Sequence, residues 1–171
     1  MTRTDNLISW WDPSKRAEIE AFKAACYDLS CYIMSCFERQ MGLEDGYFRS
    51  VHQHKPPGNN LKFLKYPTMD VQPDARTPRL YAHTDWGSLT MVFTSSPGLE
   101  VRHPKDHSWV HAPVVPNGIV VNVGDALALW TGNRLKSTLH RITWESVSIH
   151  SDRYSIAYFV NPNAGMFFCL T

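Results

Sequence analysis

The sequence predicts a mainly β protein, a jelly roll or double-stranded β-helix preceded by one long amphipathic helix. Three observations favour this fold class: helical periodicity in the first quarter of the chain, about eight short β-rich runs after it, and turn signals between those runs. The pattern alone does not separate a jelly roll from another β-sandwich. We expect the 171 residues to form one domain, 1–171, with the jelly-roll core at about 61–163.

The helix is predicted from about Pro13 to Met41. Asp12 is a favourable N-cap residue, and proline is favoured at the first helical position. Apolar residues then recur at intervals of three and four, and Gly42 is well placed to end the helix. This apolar stripe, which we expect to pack on a sheet rather than to bind a partner, consists of Ile19, Phe22, Cys26, Leu29, Ile33, Phe37 and Met41.

The β-rich runs begin after residue 54, and Pro-Gly, Asn-Gly and Gly-Asn turn signals separate several of them. We interpret Gly124-Asp125 as a turn between strands rather than as the site of a catalytic acid. The predicted strands are Leu61–Tyr66, Leu80–Phe93, Leu99–Arg102, Trp109–Pro113, Ile119–Val123, Ala126–Trp130, Ser137–Thr143 and Tyr154–Val160.

Charge and hydropathy exclude several classes of partner. The net charge is +1, and no cluster of Lys and Arg indicates a surface for nucleic acid or membranes. No stretch reaches the roughly 20 apolar residues of a membrane span, and Met1–Trp11 lacks the apolar core of a signal peptide. We therefore expect a soluble cytoplasmic protein with reduced thiols. Cys26, Cys31 and Cys36 are five residues apart on the predicted helix, a spacing that turns them away from one another.

The spacing His83-Thr84-Asp85 suits metal binding. Side chains at positions i and i+2 of an extended chain share a face, so His83 and Asp85 can converge, and His140 can reach them from another strand. Two imidazoles and one carboxylate with open positions opposite are typical of non-haem Fe(II) oxygenases. A catalytic zinc site uses similar ligands, although the sequence has no H-E-x-x-H motif to provide a base. We expect the remaining histidines, His52 and His54 among them, to lie on the surface or in loops.

A second i, i+2 pair, Arg153 and Ser155, indicates an anion site. A guanidinium binds a carboxylate with two parallel hydrogen bonds, and a hydroxyl adds a third donor. A buried Arg needs an anionic partner, which could instead be one of the 16 acidic residues of the chain. Arg141, beside His140, should point to the opposite face of its strand and be solvated or paired there.

These motifs together resemble the Fe(II)/2-oxoglutarate-dependent dioxygenases of the isopenicillin-N-synthase-like family. The likeness extends from about Asn6 to Asn163, and within the family the chain looks similar to fungal enzymes of the thymine-7-hydroxylase type. The stretches that carry it are Leu61–Pro67, His83–Phe93, Asn122–Ile142 and Arg153–Asn163.

The resemblance implies a role for each matching residue and no separate catalytic base. The cofactors would be Fe(II), 2-oxoglutarate and O2. Many members have Asn where this chain has Leu64, so one cofactor contact would differ. The implied ligands are His83, Asp85 and His140 for the metal; Arg153, Ser155 and Tyr66 for 2-oxoglutarate; and Phe159, with Asn122 and Trp130 as weaker candidates, for the substrate.

The implied activity is oxidation of a small organic molecule, aromatic or a secondary metabolite, coupled to conversion of 2-oxoglutarate to succinate and CO2. Hydroxylation, desaturation and cyclisation remain open. Family members run to about twice this length, so the resemblance implies truncation at both ends. The alternative is a non-catalytic relative that binds metal and 2-oxoglutarate without turnover. Truncation would also expose apolar surface, which predicts a homodimer through that surface.

Overall fold

The computed structural model describes residues 12–53, 58–71, 73–74, 77–144 and 149–164. Met1–Trp11 and His54 lie outside the described residues. Within them the chain forms three helices and eight strands. The elements are α1 Pro13–Met41, α2 Tyr47–Val51, β1 Asn60–Tyr66, β2 Leu80–His83, β3 Leu89–Phe93, β4 Leu99–Arg102, β5 Trp109–His111, β6 Val120–Val123, α3 Asp125–Trp130, β7 His140–Ile142 and β8 Arg153–Val160.

The strands form two four-stranded antiparallel sheets. The order is β1-β8-β3-β6 in the first sheet and β2-β7-β4-β5 in the second. Apart from the β4–β5 hairpin, successive strands from β2 to β8 alternate between the two sheets, as in a jelly roll. The predicted fold class is confirmed. No helix in the described part of the chain is long and apolar enough to cross a membrane.

Helix α1 has the predicted bounds and caps. The Asp12 carboxylate accepts a hydrogen bond from the Ser14 amide at 2.9 Å, and Gly42 ends the helix with φ of 71°. Its apolar stripe packs against the outer face of the first sheet, where Leu89, Met91, Tyr158 and Val160 are buried. The most deeply buried line of the helix, however, is Cys26, Ser30, Met34 and Glu38, so two polar residues lie on the face that the sequence presents as apolar.

Glu38 is buried because it caps helix α2. Its two carboxylate oxygens accept hydrogen bonds from the amides of Gly46, at 3.0 Å, and Phe48, at 2.6 Å. These amides belong to the first turn of α2 and have no partner within that helix. The Phe48 ring is itself buried. The carboxylate therefore fixes the start of α2 against α1.

Two strand predictions are wrong. Ala126–Trp130 belongs to helix α3, because Ala and Leu favour helices and the Asp125 amide is bound by the Asp85 carbonyl at 2.7 Å, which fixes the first turn. Gly124-Asp125 is consequently the start of a helix and not a turn between strands. The run Leu80–Phe93 is interrupted between β2 and β3 by the loop 84–88.

His52 is also not where the sequence suggests. It is fully buried, with Nδ1 2.6 Å from the Phe48 carbonyl and Nε2 2.6 Å from the Ser88 hydroxyl. A carbonyl can only accept, so Nδ1 carries the proton and Nε2 accepts from Ser88. The ring stacks on Trp130 with centroids 5.8 Å apart. His52 thus joins α2 to the loop 84–88.

Candidate metal centre

Three side chains converge where β2 and β7 meet. His83 and His140 are register partners on these neighbouring strands, and Asp85 follows in the loop 84–88. The ligand atoms of the three residues all lie within 4.8 Å of one another. The Asp85 Oδ1 atom is 3.9 Å from Nε2 of His83 and 3.8 Å from Nε2 of His140. His83 and Asp85 of the H-x-D motif and the remote His140 therefore converge on one point, as their spacing predicts.

Backbone carbonyls set the tautomer of both histidines. The Nδ1 atom of His83 is 2.8 Å from the Tyr81 carbonyl, and that of His140 is 3.0 Å from the Thr138 carbonyl. Because these carbonyls only accept, each Nδ1 carries the proton and each Nε2 presents a lone pair to the centre. A hydrogen bond of this kind from the distal ring nitrogen orients the histidine and raises its basicity as a metal ligand.

Asp85 is suited to a cation. Its side chain is 7% exposed, and its Oδ2 atom has no hydrogen-bond partner among the described residues. An unpaired buried carboxylate oxygen is costly unless a positive charge binds it. The adjacent Thr84 hydroxyl donates to the Asp125 carboxylate at 2.9 Å, which fastens the loop to α3. The donor set of two imidazoles and one carboxylate fits Fe(II).

Two glycines allow the loop to pack closely. A Cβ atom on Gly87 would lie 2.5 Å from the Asn161 side-chain oxygen and 2.6 Å from the Val160 carbonyl. A Cβ atom on Gly124 would collide with the backbone of Gly87. Both positions therefore require glycine, and their close approach clamps the Asp85 loop between α3 and the end of β8.

Arg153 lies in the same cavity and has spare donors. The side chain is 1% exposed; its Nε donates to the Pro97 carbonyl at 2.8 Å, and Nη1 lies 3.4 Å from the Ser155 hydroxyl. Nη2 is buried without a partner, and no carboxylate pairs with Arg153 among the described residues. Burial lowers the pKa of Arg153, and the nearby Arg79 adds to this effect. The arrangement is therefore complementary to an anion.

The three candidate metal ligands and Arg153 line one cavity of about 70 Å³. Tyr66 and Leu64 line it from β1, and Phe159 lines it from β8. The Arg153 guanidinium is 5.2 Å from the Tyr66 ring, and burial raises the pKa of the Tyr66 phenol, so that the phenol stays a neutral donor. A cosubstrate that reaches from Arg153 to the metal would pass these walls.

The other two predicted substrate residues do not line this cavity. Trp130 packs against Phe48 and His52, and its indole Nε1 donates to the Tyr47 hydroxyl at 3.2 Å. Asn122 is buried on β6, and its side-chain nitrogen has no hydrogen-bond partner within the described ranges; it lines a separate groove between β5 and β6. Their predicted roles in substrate binding stay predictions.

Thr90 is a cavity residue that the sequence did not single out. It is 2% exposed, and its hydroxyl has no partner among the described residues. Its register partners are Phe159 on β8 and Asn122 on β6. The only signal was its i+5 position after Asp85 in an alternating strand.

Arg141 behaves as predicted: it points away from the centre and pairs with Glu100 at 2.6 Å.

The fold and this site together define the class of protein. The sequence model of the 2OG-Fe(II) oxygenase superfamily matches residues 58–162, a span that contains the three candidate metal ligands, Arg153 and Ser155. The chain belongs to this family, whose members use Fe(II), 2-oxoglutarate and O2.

Individual relatives agree with this assignment. The chain is 36% identical over 159 residues to proline hydroxylase buaE of Petromyces alliaceus, covering 88% of this chain and 49% of that protein. It is similar to the Neurospora crassa thymine-7-hydroxylase structure with bound alpha-KG, with a TM-score of 0.81, 33% identity and coverage of 91% of this chain and 52% of that one. The complex of the same enzyme with alpha-KG and thymine gives a TM-score of 0.78. The chain thus spans about half the length of these relatives.

Proposed function

We propose that this protein is an Fe(II)/2-oxoglutarate-dependent dioxygenase that oxidises a small organic molecule. The observation that carries the proposal is that an unpaired Arg153 donor and an unpaired Asp85 oxygen line one cavity with two correctly oriented imidazoles. Fe(II), 2-oxoglutarate and O2, when bound, would supply the oxidation, with succinate and CO2 as products and one oxygen atom available to the substrate.

The residues of the chain bind, orient and shield. His83, Asp85 and His140 would hold the metal. Arg153 and Ser155 would hold the distal carboxylate of 2-oxoglutarate, since their donors face the cavity from one strand. Tyr66 would donate its phenol hydrogen to the carboxylate nearer the metal. No group of the chain needs to act as a catalytic base.

A zinc hydrolase explains the site less well. It would leave the buried Arg153 without a function, whereas a dicarboxylic cosubstrate uses both the metal and the guanidinium. A non-catalytic relative that binds metal and 2-oxoglutarate without turnover would share every feature of the site. Only experiment distinguishes it from an active dioxygenase.

The test is succinate production from 2-oxoglutarate. We expect His83→Ala and Asp85→Ala to abolish both metal binding and succinate, because each removes one of three protein ligands. Asp45→Ala is the matched control, since that carboxylate is exposed and lies on the loop before α2. Binding of metal and 2-oxoglutarate without succinate across a broad panel of substrates would support the non-catalytic alternative. Succinate production that survives Asp85→Ala would contradict the site assignment.

The substrate belongs to the same proposal. Relatives include a protein named proline hydroxylase and a thymine-7-hydroxylase structure with thymine bound, so small cyclic metabolites are the class to screen first. Phe159, half-buried in the cavity wall, supports an aromatic or other apolar ring. Identification of the product will show whether the reaction on that ring is hydroxylation, desaturation or cyclisation.

We also propose a cytoplasmic location and a homodimer. Free thiols at Cys26, Cys31 and Cys36 suit a reducing compartment. In the described chain β6 is an edge strand that carries the exposed Val121, and the exposed Val115 lies in the segment before it, so a second copy could cover this apolar edge. Light scattering at high protein concentration tests the assembly, and a strictly monomeric protein would contradict it.

A further inference from the structure

Lys62 shares the inner face of β1 with two walls of the metal cavity. Side chains alternate along a strand, so Lys62, Leu64 and Tyr66 point to the same side. The latter two line the cavity. In register, Lys62 lies opposite Ala157, which also lines it. Lys62 is exposed and is not itself one of the lining residues, so its position on this face places it at the rim of the metal cavity.

The ammonium group has an aromatic neighbour there but no carboxylate. Its Nζ atom is 4.8 Å from the centroid of the Phe159 ring, which belongs to the cavity wall. Among the described residues no ion pair neutralises Lys62. Lys65 on the opposite face of the same strand behaves differently, because it is paired with Asp152 at 2.8 Å. An aromatic face holds a lysine in place while leaving its donors free for an anion.

The charges of the cavity also favour an anion at this position. Among the lining residues, Asp85 and Arg153 carry opposite charges. The charges of Fe(II) and of the 2-oxoglutarate dianion, which the proposed function places there, also cancel each other. The charge of Lys62 is then left over at the rim, next to the space that remains for the substrate. Farther inside the same face, the Thr90 hydroxyl is buried without a partner in the described part of the chain, and it can donate to a second polar atom.

Lys62 is too far from Arg153 to serve the same carboxylate. Their register positions on β8, Ala157 and Arg153, are four residues apart, or about 13 Å along an extended strand. The two cations therefore mark opposite ends of the inner face of the β1–β8 pair. One end suits the cosubstrate, and the other suits a different anion.

We propose that Lys62 determines substrate specificity and that the substrate is a small organic acid. Its carboxylate binds the Lys62 ammonium, and its apolar body contacts Phe159. This inference rests on the proposed function, because it assumes that 2-oxoglutarate occupies the Arg153 end.

The test measures binding rather than turnover. The full chain is loaded anaerobically with Fe(II) and saturating 2-oxoglutarate, and three probe pairs are titrated by calorimetry: benzoate and benzamide, phenylacetate and phenylacetamide, cyclohexanecarboxylate and its amide. Each pair differs only in the charge of the carboxyl group. We expect at least one acid to bind about tenfold more tightly than its amide, the value of one charge-assisted hydrogen bond.

Variants assign that preference to the residue. Lys62→Met should remove the preference for the acid, and Lys62→Arg should keep it. Lys65→Met is the matched control, because it removes the same charge from the opposite face of β1, and it should keep the preference. If no acid is preferred, or if the preference survives Lys62→Met, the inference is overturned while the proposed function stands. Failure of 2-oxoglutarate to bind in the first step would overturn both.

Discussion

Replacing Arg153 by Met should separate stability from cosubstrate binding. The side chain is buried with an Nη2 that has no partner among the described residues, and its one short hydrogen bond joins Nε to the Pro97 carbonyl. Removing an unsatisfied buried donor gains about 1–3 kcal/mol, and losing the bond to Pro97 costs about 1 kcal/mol. Replacing buried charges by apolar side chains of similar volume is often neutral or stabilising. We therefore expect the ligand-free variant to be as stable as the wild type or up to about 2 kcal/mol more stable.

The same substitution should destroy affinity for 2-oxoglutarate. Truncating one partner of a buried, hydrogen-bonded charge pair costs about 2–5 kcal/mol, and a loss of about 3 kcal/mol corresponds to a dissociation constant raised more than about a hundredfold. At a 2-oxoglutarate concentration about 100 times the wild-type dissociation constant, the wild type gains about 2.7 kcal/mol from binding. At that concentration Arg153→Met should gain less than about 0.5 kcal/mol.

The assay is thermal unfolding with Mn(II) in place of Fe(II), with and without 2-oxoglutarate. For a chain of this size each 1 kcal/mol shifts the Tm by about 2–4 °C, so both effects are measurable. Ser155→Ala provides a graded comparison, because it removes one donor and leaves the charge. A ligand-free Arg153→Met protein that loses more than about 2 kcal/mol, or one that 2-oxoglutarate stabilises as strongly as the wild type, would refute the reasoning.

Two further predictions concern the polar contacts that support the site. Glu38→Ala should lower the free energy of unfolding by about 2–4 kcal/mol in urea, because it leaves two amides of α2 without their acceptor; Glu20→Ala, exposed on the same helix, should change it by less than about 0.5 kcal/mol. Burial lowers the pKa of His52 below its usual 6.5, so the unfolded chain takes up this proton first and stability falls as the pH drops below about 6.5. His52→Gln should flatten that part of the stability profile, and an unchanged slope would show that other groups cause it.

The site was predictable from the sequence because its geometry is short-range. Arg153 and Ser155 stand two residues apart on β8, where strand alternation alone puts them on one face, and Asp85 follows only two residues after His83, in the loop that leaves the end of β2. The position of His140 needed the fold, and the resemblance to a known family supplied it. The pairing of His83 with His140 across β2 and β7 is the contact that completes the centre.

Contacts made by tertiary structure were not predictable. The segment Ala126–Trp130 is too short for its periodicity to separate helix from strand, and the Asp85 carbonyl decides the matter by binding the first turn of α3. Glu38 and His52 look like surface residues in the sequence. Both are buried because each satisfies partners that are distant along the chain or belong to another element, and no local pattern records those partners.

The central claim is that one cavity holds Fe(II) and 2-oxoglutarate together, and one titration tests it directly. Purified protein is loaded with Fe(II) without oxygen and titrated with 2-oxoglutarate while the visible metal-to-ligand charge-transfer band is followed. We predict a band that saturates at one 2-oxoglutarate per chain and is absent from Arg153→Met at the same limiting concentration. Iron binding without any such band at saturating 2-oxoglutarate would contradict the claim.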